Sequence, residues 1–373
     1  MNTRIAGVPK LDFDRSPFLV LWELTRACGL KCRHCRAVAV KERDREEVEV
    51  SEAARFLDDL SGMGRPLIVL TGGDPVQRPD LLDIVDLCRE RGFATAMTPS
   101  GTPSVTEHVI EQLKSRGLTR LAISLDAPDR MTHDYFRGVE GSFDWSMSII
   151  SWARKHHLPF QINTAISTLN VDLFDEMATL VEHLGAVLWS VFFLVPVGRA
   201  SEDMQITPIQ AERVMIGMAE LASSGKFDVK STAAPQFRRV LLQRRAKDSS
   251  VAFRAGAGGL NQLDHKLKLG RLRSYGSVND GRGLIFVSHR GEIMPSGFLP
   301  LVAGNVREDS VTDIYRNHPL FKTLRDPDLL QGKCGICRYK RLCGGSRARA
   351  YGRYGDYMAE DPLCVFKDRI PAQ

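Results

Sequence analysis

The stretch Cys28-Gly-Leu-Lys-Cys32-Arg-His-Cys35 sets three thiols within eight residues, directly after an apolar run at residues 18–24. Three thiolates can wrap one metal site and leave its fourth coordination position open. Zinc sites of that kind usually draw His or carboxylate ligands from distant segments, whereas a cubane iron–sulfur cluster held by three cysteines leaves one iron free. The compact loop favours the cubane. Buried structural cysteines are disfavoured because cations that stabilise thiolates surround them: Arg26, Lys31, Arg33 and Arg36.

Short apolar runs alternate with stretches of helical period from residue 18 to residue 231. The alternation predicts an α/β fold with a parallel sheet, and six such units predict a partial (β/α)6 barrel rather than a closed eightfold one. Chemistry in such folds lies at the carboxyl ends of the strands, where the three thiols fall. The runs are 18–24, 67–71, 93–98, 120–125, 160–166 and 188–195, and the helical stretches are 51–60, 81–91, 106–116, 145–156, 173–184 and 208–222.

The chain has 373 residues, 43% of them hydrophobic, which suits two or three globular domains. Its longest apolar runs are far shorter than the roughly 20 residues that span a bilayer. The first 17 residues contain no apolar stretch of signal-peptide length, which predicts a cytoplasmic protein. A net charge of +6 allows anionic partners without choosing among them.

Composition divides the chain into four predicted parts: an N-terminal extension (1–17), the barrel (18–231), a basic linker or mobile loop (232–275) and a C-terminal cysteine-bearing domain (276–373). The linker holds the glycine run Ala255-Gly256-Ala257-Gly258-Gly259. No strand precedes this run and no Lys-Ser/Thr follows it, so a phosphate-binding loop is disfavoured.

Seven of the eight cysteines fall into two groups at opposite ends of the sequence. The second group, Cys334-Gly-Ile-Cys337 with Cys343 and Cys364, supplies four thiolates, enough to close a tetrahedral site. Spacing alone leaves zinc and an iron–sulfur cluster equally open there. Cys88 lies on the apolar face of a predicted helix and is expected in the core.

The first cysteine motif resembles the CxxxCxxC signature of the radical S-adenosylmethionine (SAM) superfamily, with His34 where that family usually has an aromatic ring. The resemblance implies that Cys28, Cys32 and Cys35 ligate a [4Fe-4S] cluster whose open iron chelates the amino and carboxylate groups of SAM. It also implies that one electron cleaves SAM to methionine and a 5'-deoxyadenosyl radical, which abstracts a hydrogen atom from the substrate.

Motifs at the other strand ends resemble the family's SAM contacts. Thr71-Gly72-Gly73-Asp74-Pro75 resembles its GGE segment, with Asp for the commoner Glu, so the carbonyls near Gly72 and Gly73 are expected to carry more of the contact with the SAM ammonium. Ser124-Leu125-Asp126 resembles its ribose and carboxylate contacts. The positions where the family touches ribose, adenine or the SAM carboxylate are Asn163, Leu194 and Arg199. For Asn163 and Arg199 a purely structural role is the alternative.

The C-terminal cysteine spacing resembles the outer auxiliary cluster of SPASM or twitch domains. This implies a second [4Fe-4S] cluster, whose role is either electron relay or structural support. A full SPASM domain holds two auxiliary clusters. Here Ser296 stands where the family commonly has a cysteine, and Arg347 stands where another would be. The resemblance therefore implies one auxiliary cluster only.

Nothing in the spacing names a substrate, but the segments 22–28, 34–37 and 343–351 resemble the branch of alternative haem-synthesis and haem d1 enzymes. That branch removes or alters propionate side chains of iron tetrapyrroles, which implies an anionic small-molecule substrate. Arginine matches carboxylates well, and the candidate partners are Arg137, Arg199, Arg347 and Arg349.

Two other functions remain open from the sequence. The first is a maturase of ribosomally made peptides, which the short segment before the first strand disfavours because such enzymes often carry an N-terminal recognition domain. The second is a non-catalytic zinc or iron–sulfur protein that binds nucleic acid, but the basic stretch 238–273 contains a single aromatic residue, Phe253. We therefore expect no nucleic-acid or membrane partner, and an electron donor such as flavodoxin or ferredoxin.

Overall fold

The computed structural model describes residues 12–248 and 278–368. Its strands are β1 (Leu19–Thr25), β2 (Leu67–Gly72), β3 (Thr95–Met97), β4 (Arg120–Ser124), β5 (Phe160–Ile166), β6 (Leu188–Phe193), β7 (Asp228–Thr232), β8 (Leu284–Val287), β9 (Glu292–Met294) and β10 (Gly304–Asn305). They form one ten-stranded sheet in the order β10-β9-β8-β1-β2-β3-β4-β5-β6-β7. Strands β1 to β7 pair in parallel with their neighbours.

Helices follow most of the strands, and several of them begin at side chains that cap the helix N-terminus. Asp129 and Thr207 accept hydrogen bonds from backbone N–H groups of the first turns that they cap. The helices are α1 (Val50–Ser61), α2 (Leu81–Glu90), α3 (Glu107–Ser115), α4 (Arg130–Arg137), α5 (Ser142–Lys155), α6 (Phe174–Leu184), α7 (Pro208–Ser224), α8 (Phe237–Asp248), α9 (Val311–Asn317), α10 (Pro319–Arg325), α11 (Gly332–Ile336) and α12 (Arg347–Tyr354). Short 3-10 turns lie at Pro75–Gln77, Val171–Leu173, Glu202–Met204 and Pro327–Leu329.

The predicted parallel α/β sheet is confirmed, and all six predicted apolar runs form strands within one or two residues of their expected limits. Strand β7 and helix α4 were not predicted from the sequence. Cys88 is fully buried in the core, as predicted. Among the described residues, no helix is long and apolar enough to cross a membrane.

The C-terminal segment continues the barrel sheet across the predicted boundary. Strand β8 pairs in parallel with β1, and β9 returns antiparallel to β8. The prediction of a linker or mobile loop is wrong for its first part, because α8 begins at Phe237 and packs against α7. The glycine run Ala255–Gly259 and residues 1–11 of the N-terminal extension lie outside the described residues.

Alternate side chains of the strands enter two different environments. On the outer face, Ile162, Trp189 and Val229 join the apolar core beneath the helices and are at most 5% exposed. The inner face, which lines the barrel, also carries polar and charged groups, including Ser190 and Lys230.

A buried ionic network joins β1 to the C-terminal segment. The Glu23 carboxylate lies 2.6 Å from Arg36 Nη2 and 2.9 Å from His289 Nδ1, and Arg36 also donates to Gly297 O. Burial alone would raise the pKa of Glu23, but hydrogen bonds from His289 and Arg36 and the charges of Arg36 and Arg26 outweigh it and lower the pKa to about 2. Glu23 is therefore ionised in the folded protein at neutral pH.

We expect Glu23→Gln to lower the free energy of unfolding at pH 7 by about 3 kcal/mol, because the buried cation Arg36 loses its carboxylate. A carboxylate whose pKa is depressed by folding stabilises above its ordinary pKa of 4.5, and this contribution is lost as pH falls toward 2. The difference in free energy of unfolding between variant and wild type, measured from urea unfolding curves, should therefore become smaller as the pH falls from 4.5 toward 2. The exposed Glu42→Gln is the control, and an equal effect of both substitutions would contradict the network's role.

Candidate functional site

The loop that carries the first three thiols is fixed by backbone hydrogen bonds from both sides. The last carbonyls of α4, Phe136 O and Arg137 O, accept from Arg33 N and Lys31 N at 3.0 and 3.2 Å. On the other side Arg199 N donates to Cys35 O at 3.0 Å. The loop is therefore held between the end of α4 and the segment after β6.

Hydrogen-bond donors point at each sulfur of this loop. Leu30 N lies 3.3 Å from Cys28 Sγ, Ala39 N lies 3.4 Å from Cys35 Sγ, and Arg137 Nη1 lies 3.8 Å from Cys32 Sγ. Ser100 Oγ also lies 3.3 Å from Cys28 Sγ. Donors aimed at sulfur stabilise thiolate, which is the form that ligates metal. The donor set therefore fits a thiolate-bound iron–sulfur cluster.

Burial opposes ionisation of the same thiols. It raises the pKa of Cys28 to about 11, although the hydrogen bond with Ser100 acts in the other direction. It also raises the pKa of Cys32, and the charge of Arg137 opposes that shift. Ionised sulfur at these positions therefore needs positive charge beside it, which a metal group and Arg137 both supply.

Asp126 and Arg137 form a buried ion pair beside the loop. Their side chains approach to 2.6 Å, and Asp126 Oδ1 also accepts from Ala165 N at 2.8 Å. Burial opposes the charge of Arg137, but Asp126 and Cys32 outweigh it and raise the pKa of the guanidinium. Arg137 is thus a fixed cation shared by a carboxylate and a thiol, which corrects the expectation that it is a free partner for a substrate carboxylate.

The end of β2 lies close against the loop that begins after β1. A Cβ added at Gly73 would stand 2.4 Å from Ala27 O, so only glycine permits this approach. Asp74 is fully buried and accepts hydrogen bonds from Thr102 Oγ1, Ser100 N and Val76 N. Pro75 begins the 3-10 turn that follows. The Asp74 carboxylate is therefore engaged in holding these loops together.

The remaining predicted SAM contacts come together at the same edge of the sheet. Ser124, Asn163 and Ser190 stand in register across β4, β5 and β6. Asn163 Oδ1 accepts from Gln161 Nε2 at 2.8 Å. Leu194, at the end of β6, is buried.

Several buried polar atoms at this edge lack a protein partner among the described residues. They are His34 Nδ1, His133 Nε2, and Arg199 Nε and Nη2. The His34 ring lies 4.3 Å from the Phe136 ring, and burial with the nearby cations lowers the pKa of His34 well below its usual value, so the imidazole is neutral. Unpartnered donors and acceptors are costly when buried, so they fit a site that a polar ligand completes.

The second thiol group is likewise approached by N–H donors. Tyr339 N, Gly345 N and Asp361 N each lie 3.4 Å from a sulfur, those of Cys337, Cys343 and Cys334 in that order. Burial raises the pKa of Cys343 to about 12 and that of Cys364 to about 11. Among the described residues, no three His, Cys, Asp or Glu side chains lie close enough to share one metal ion. The thiolates of a cubane cluster bind separate irons, so the donor set fits that group as well.

The two arginines predicted in this region have structural partners. Arg347 is 2% exposed; its guanidinium donates to the carbonyls of Tyr357 and Ala359 and lies 3.9 Å from Cys334 Sγ. Arg349 pairs with Asp361 and donates to Phe193 O, at the end of β6. Neither is a free carboxylate partner, which corrects the expectation from sequence.

Ser100 and His133 belong to this site and were missed from the sequence. Ser100 Oγ donates to Gly73 O at 2.6 Å besides meeting Cys28, and His133 Nδ1 accepts from Asp126 N. Ser100 follows β3, so the rule that strand ends carry the chemistry could have identified it. His133 lies on the missed helix α4, and no pattern in the sequence points to it.

Known proteins share the sequence pattern and the fold of this chain. The family profile described as Radical SAM superfamily matches residues 22–181. AdoMet-dependent heme synthases from Methanosarcina barkeri and Nitratidesulfovibrio vulgaris are each 38% identical to the chain; the first match covers 96% of this chain and 99% of the relative, the second 97% and 96%. Streptococcus suis SuiB bound to the precursor peptide SuiA has the same fold, with a TM-score of 0.72 at 16% identity over 94% of this chain and 76% of that one.

We expect Arg137→Met to release iron from the anaerobically reconstituted protein to a chelator several-fold faster than wild type. The substitution removes the fixed cation beside Cys32 and leaves Asp126 buried without its partner. Arg130→Met, on the exposed surface of the same helix, is the control. Equal release rates for both variants would show that Arg137 does not support the thiolates.

Proposed function

The chain belongs to the radical SAM superfamily, and on that premise we propose that it acts on a propionate side chain of an iron tetrapyrrole. The observation that carries the proposal is the 38% identity to AdoMet-dependent heme synthases over nearly the full length of both chains. As a superfamily member it is an enzyme that uses SAM and a [4Fe-4S] cluster. Residues 18–231 form the SAM-cleaving part and residues 276–373 the auxiliary part.

Cys28, Cys32 and Cys35 hold the SAM-binding cluster. When the cluster and SAM are both bound, they supply a 5'-deoxyadenosyl radical that removes one hydrogen atom from the substrate. Carbonyls near Gly72 and Gly73 accept from the SAM ammonium, and the free nitrogens of Arg199 bind its carboxylate. Contacts with the rest of SAM come from His34, Pro75, Ser124, Asn163 and Leu194. Asp74 and Asp126 contribute to SAM binding indirectly, through the loops that they position.

Conversion of a propionate to a vinyl group removes one hydrogen atom, carbon dioxide and one electron from the side chain. The hydrogen atom goes to the deoxyadenosyl radical, and the electron needs an acceptor. Cys334, Cys337, Cys343 and Cys364 would hold a second [4Fe-4S] cluster, which would supply that acceptor. Three nearby guanidiniums, those of Arg238, Arg239 and Arg347, would favour its reduced form. The electron that cleaves SAM comes from a cytoplasmic flavodoxin or ferredoxin.

We expect Cys28→Ala to abolish formation of 5'-deoxyadenosine, because it removes a ligand of the SAM-binding cluster. Cys334→Ala should retain some SAM cleavage but yield no decarboxylated product, because the electron acceptor is lost. Both are measured by chromatography and mass spectrometry after anaerobic incubation with SAM, dithionite and a tetracarboxylate iron porphyrin. Cys88→Ala is the control. Normal deoxyadenosine formation by Cys28→Ala would refute the assignment.

We expect about eight irons with matching sulfide per reconstituted wild-type chain, and about four after Cys334→Ala. Elemental analysis gives both numbers. About four irons with one zinc in the wild type would make the C-terminal site structural and remove the proposed electron acceptor.

A further inference from the structure

Two cations inside the barrel have no counter-charge among residues 12–248 and 278–368. The arginines predicted from the sequence to meet substrate carboxylates are engaged elsewhere, apart from Arg199. By contrast, the side chains of Lys230 on β7 and Arg120 on β4 have no hydrogen bond and no ion pair with any described residue. A cation inside a barrel without an anion beside it is unusual, since desolvation is then uncompensated.

Strand register places both side chains on the inner face of the barrel. Lys230 stands in register with Ser190, Ser190 with Asn163, and Asn163 with Ser124. Arg120 lies four residues before Ser124 on the same strand, so it shares the face of Ser124. The intervening residues of these strands belong to the apolar core on the outer face: Leu121, Ile123, Ile162, Trp189 and Val229.

The inner face near these cations is partly accessible to solvent. Lys230, Thr232, Gln161 and Ser124 are partly exposed, whereas Asn163 and Ser190, which lie between them in register, are buried. The Ser190 and Thr232 hydroxyls meet at 3.2 Å, which confirms that the inner side chains of β6 and β7 are adjacent. A ligand inside the barrel would therefore contact a polar wall.

The electrostatics of Lys230 agree with an anion subsite. Burial, together with the charges of Arg120 and Arg238, lowers the pKa of Lys230 to about 8. The nearby Arg238 donates to Val278 O and Leu342 O, next to Cys343, so the cations extend toward the second thiol group.

We propose that Lys230 and Arg120 form a subsite that binds carboxylate groups of the substrate inside the barrel. The proposal rests on the proposed function and deepens it, because it identifies the side chains that recognise an acidic substrate. A carboxylate placed between them gains charge-assisted hydrogen bonds and neutralises two cations that repel each other. Arg238 adds positive potential at the side of the subsite that faces the C-terminal segment.

The test compares an iron porphyrin that carries four propionates with its tetraamide, by absorbance titration of the reconstituted protein. We expect Lys230→Met and Arg120→Met each to weaken binding of the tetracarboxylate about tenfold and to leave binding of the tetraamide unchanged. Lys230→Arg should restore most of the affinity. Lys226→Met is the matched control, because Lys226 lies just before β7 on the outer surface, paired with Glu182.

Wild-type affinity for the tetracarboxylate in both methionine variants, or equal loss for both porphyrins, would overturn the subsite while leaving the proposed substrate intact. Failure of the wild type to bind either porphyrin would instead refute the proposed substrate. In that case the subsite is tested by protection of Lys230. Lysines of the protein are acylated with and without benzenehexacarboxylate as the probe, and the extent of labelling is measured by mass spectrometry. Protection of Lys230 but not Lys226 supports the subsite, and equal labelling with and without the probe overturns it.

Discussion

The parallel pairing of β1 on both of its edges is the constraint from which the site follows. With β2 on one side and β8 on the other, β1 is enclosed, and its residues from Trp22 to Thr25 are fully buried. The chain can leave such a strand only at the edge where all parallel strands end, so the three thiols emerge at the barrel mouth. The same pairing brings the C-terminal segment beside the first strand. The first thiol group and the start of the C-terminal segment are therefore both positioned by one strand.

Buried ion pairs near the two thiol groups are the second organising feature. Glu23 is bound by Arg36 and His289, Asp126 by Arg137, and Asp361 by Arg349. Pairs of this kind add little net stability over apolar packing, but removal of one partner is strongly destabilising. They therefore fix the relative positions of segments that are distant in sequence. Each of them links a strand end to a loop or segment that meets a thiol group.

The sequence predicted the parts of the site that are local in the chain. Cysteine spacing, glycine turns and apolar runs are short-range signals, and they located the thiol loops and six strands correctly. β7 was missed because Asp228-Val-Lys-Ser-Thr holds one apolar residue, and the pairing of β8 with β1 joins segments about 265 residues apart. Whether an arginine is free or engaged depends on such long-range contacts. Arg347 and Arg349 therefore resembled ligand-binding residues in the sequence, although their partners are backbone carbonyls and Asp361.

The same missed strand carries one side of the proposed carboxylate subsite. A strand with a single apolar residue contributes only Val229 to the outer core, and its inner positions are free to carry Lys230 and Thr232. Stability of the sheet does not require a lysine there, since a shorter polar side chain would avoid the desolvation that depresses its pKa. The ammonium has no partner in the described part of the chain, which is a local departure from good packing, and departures of this kind are expected where a protein binds a ligand. The outer face of each strand therefore accounts for the fold, and the proposed subsite lies on the inner face.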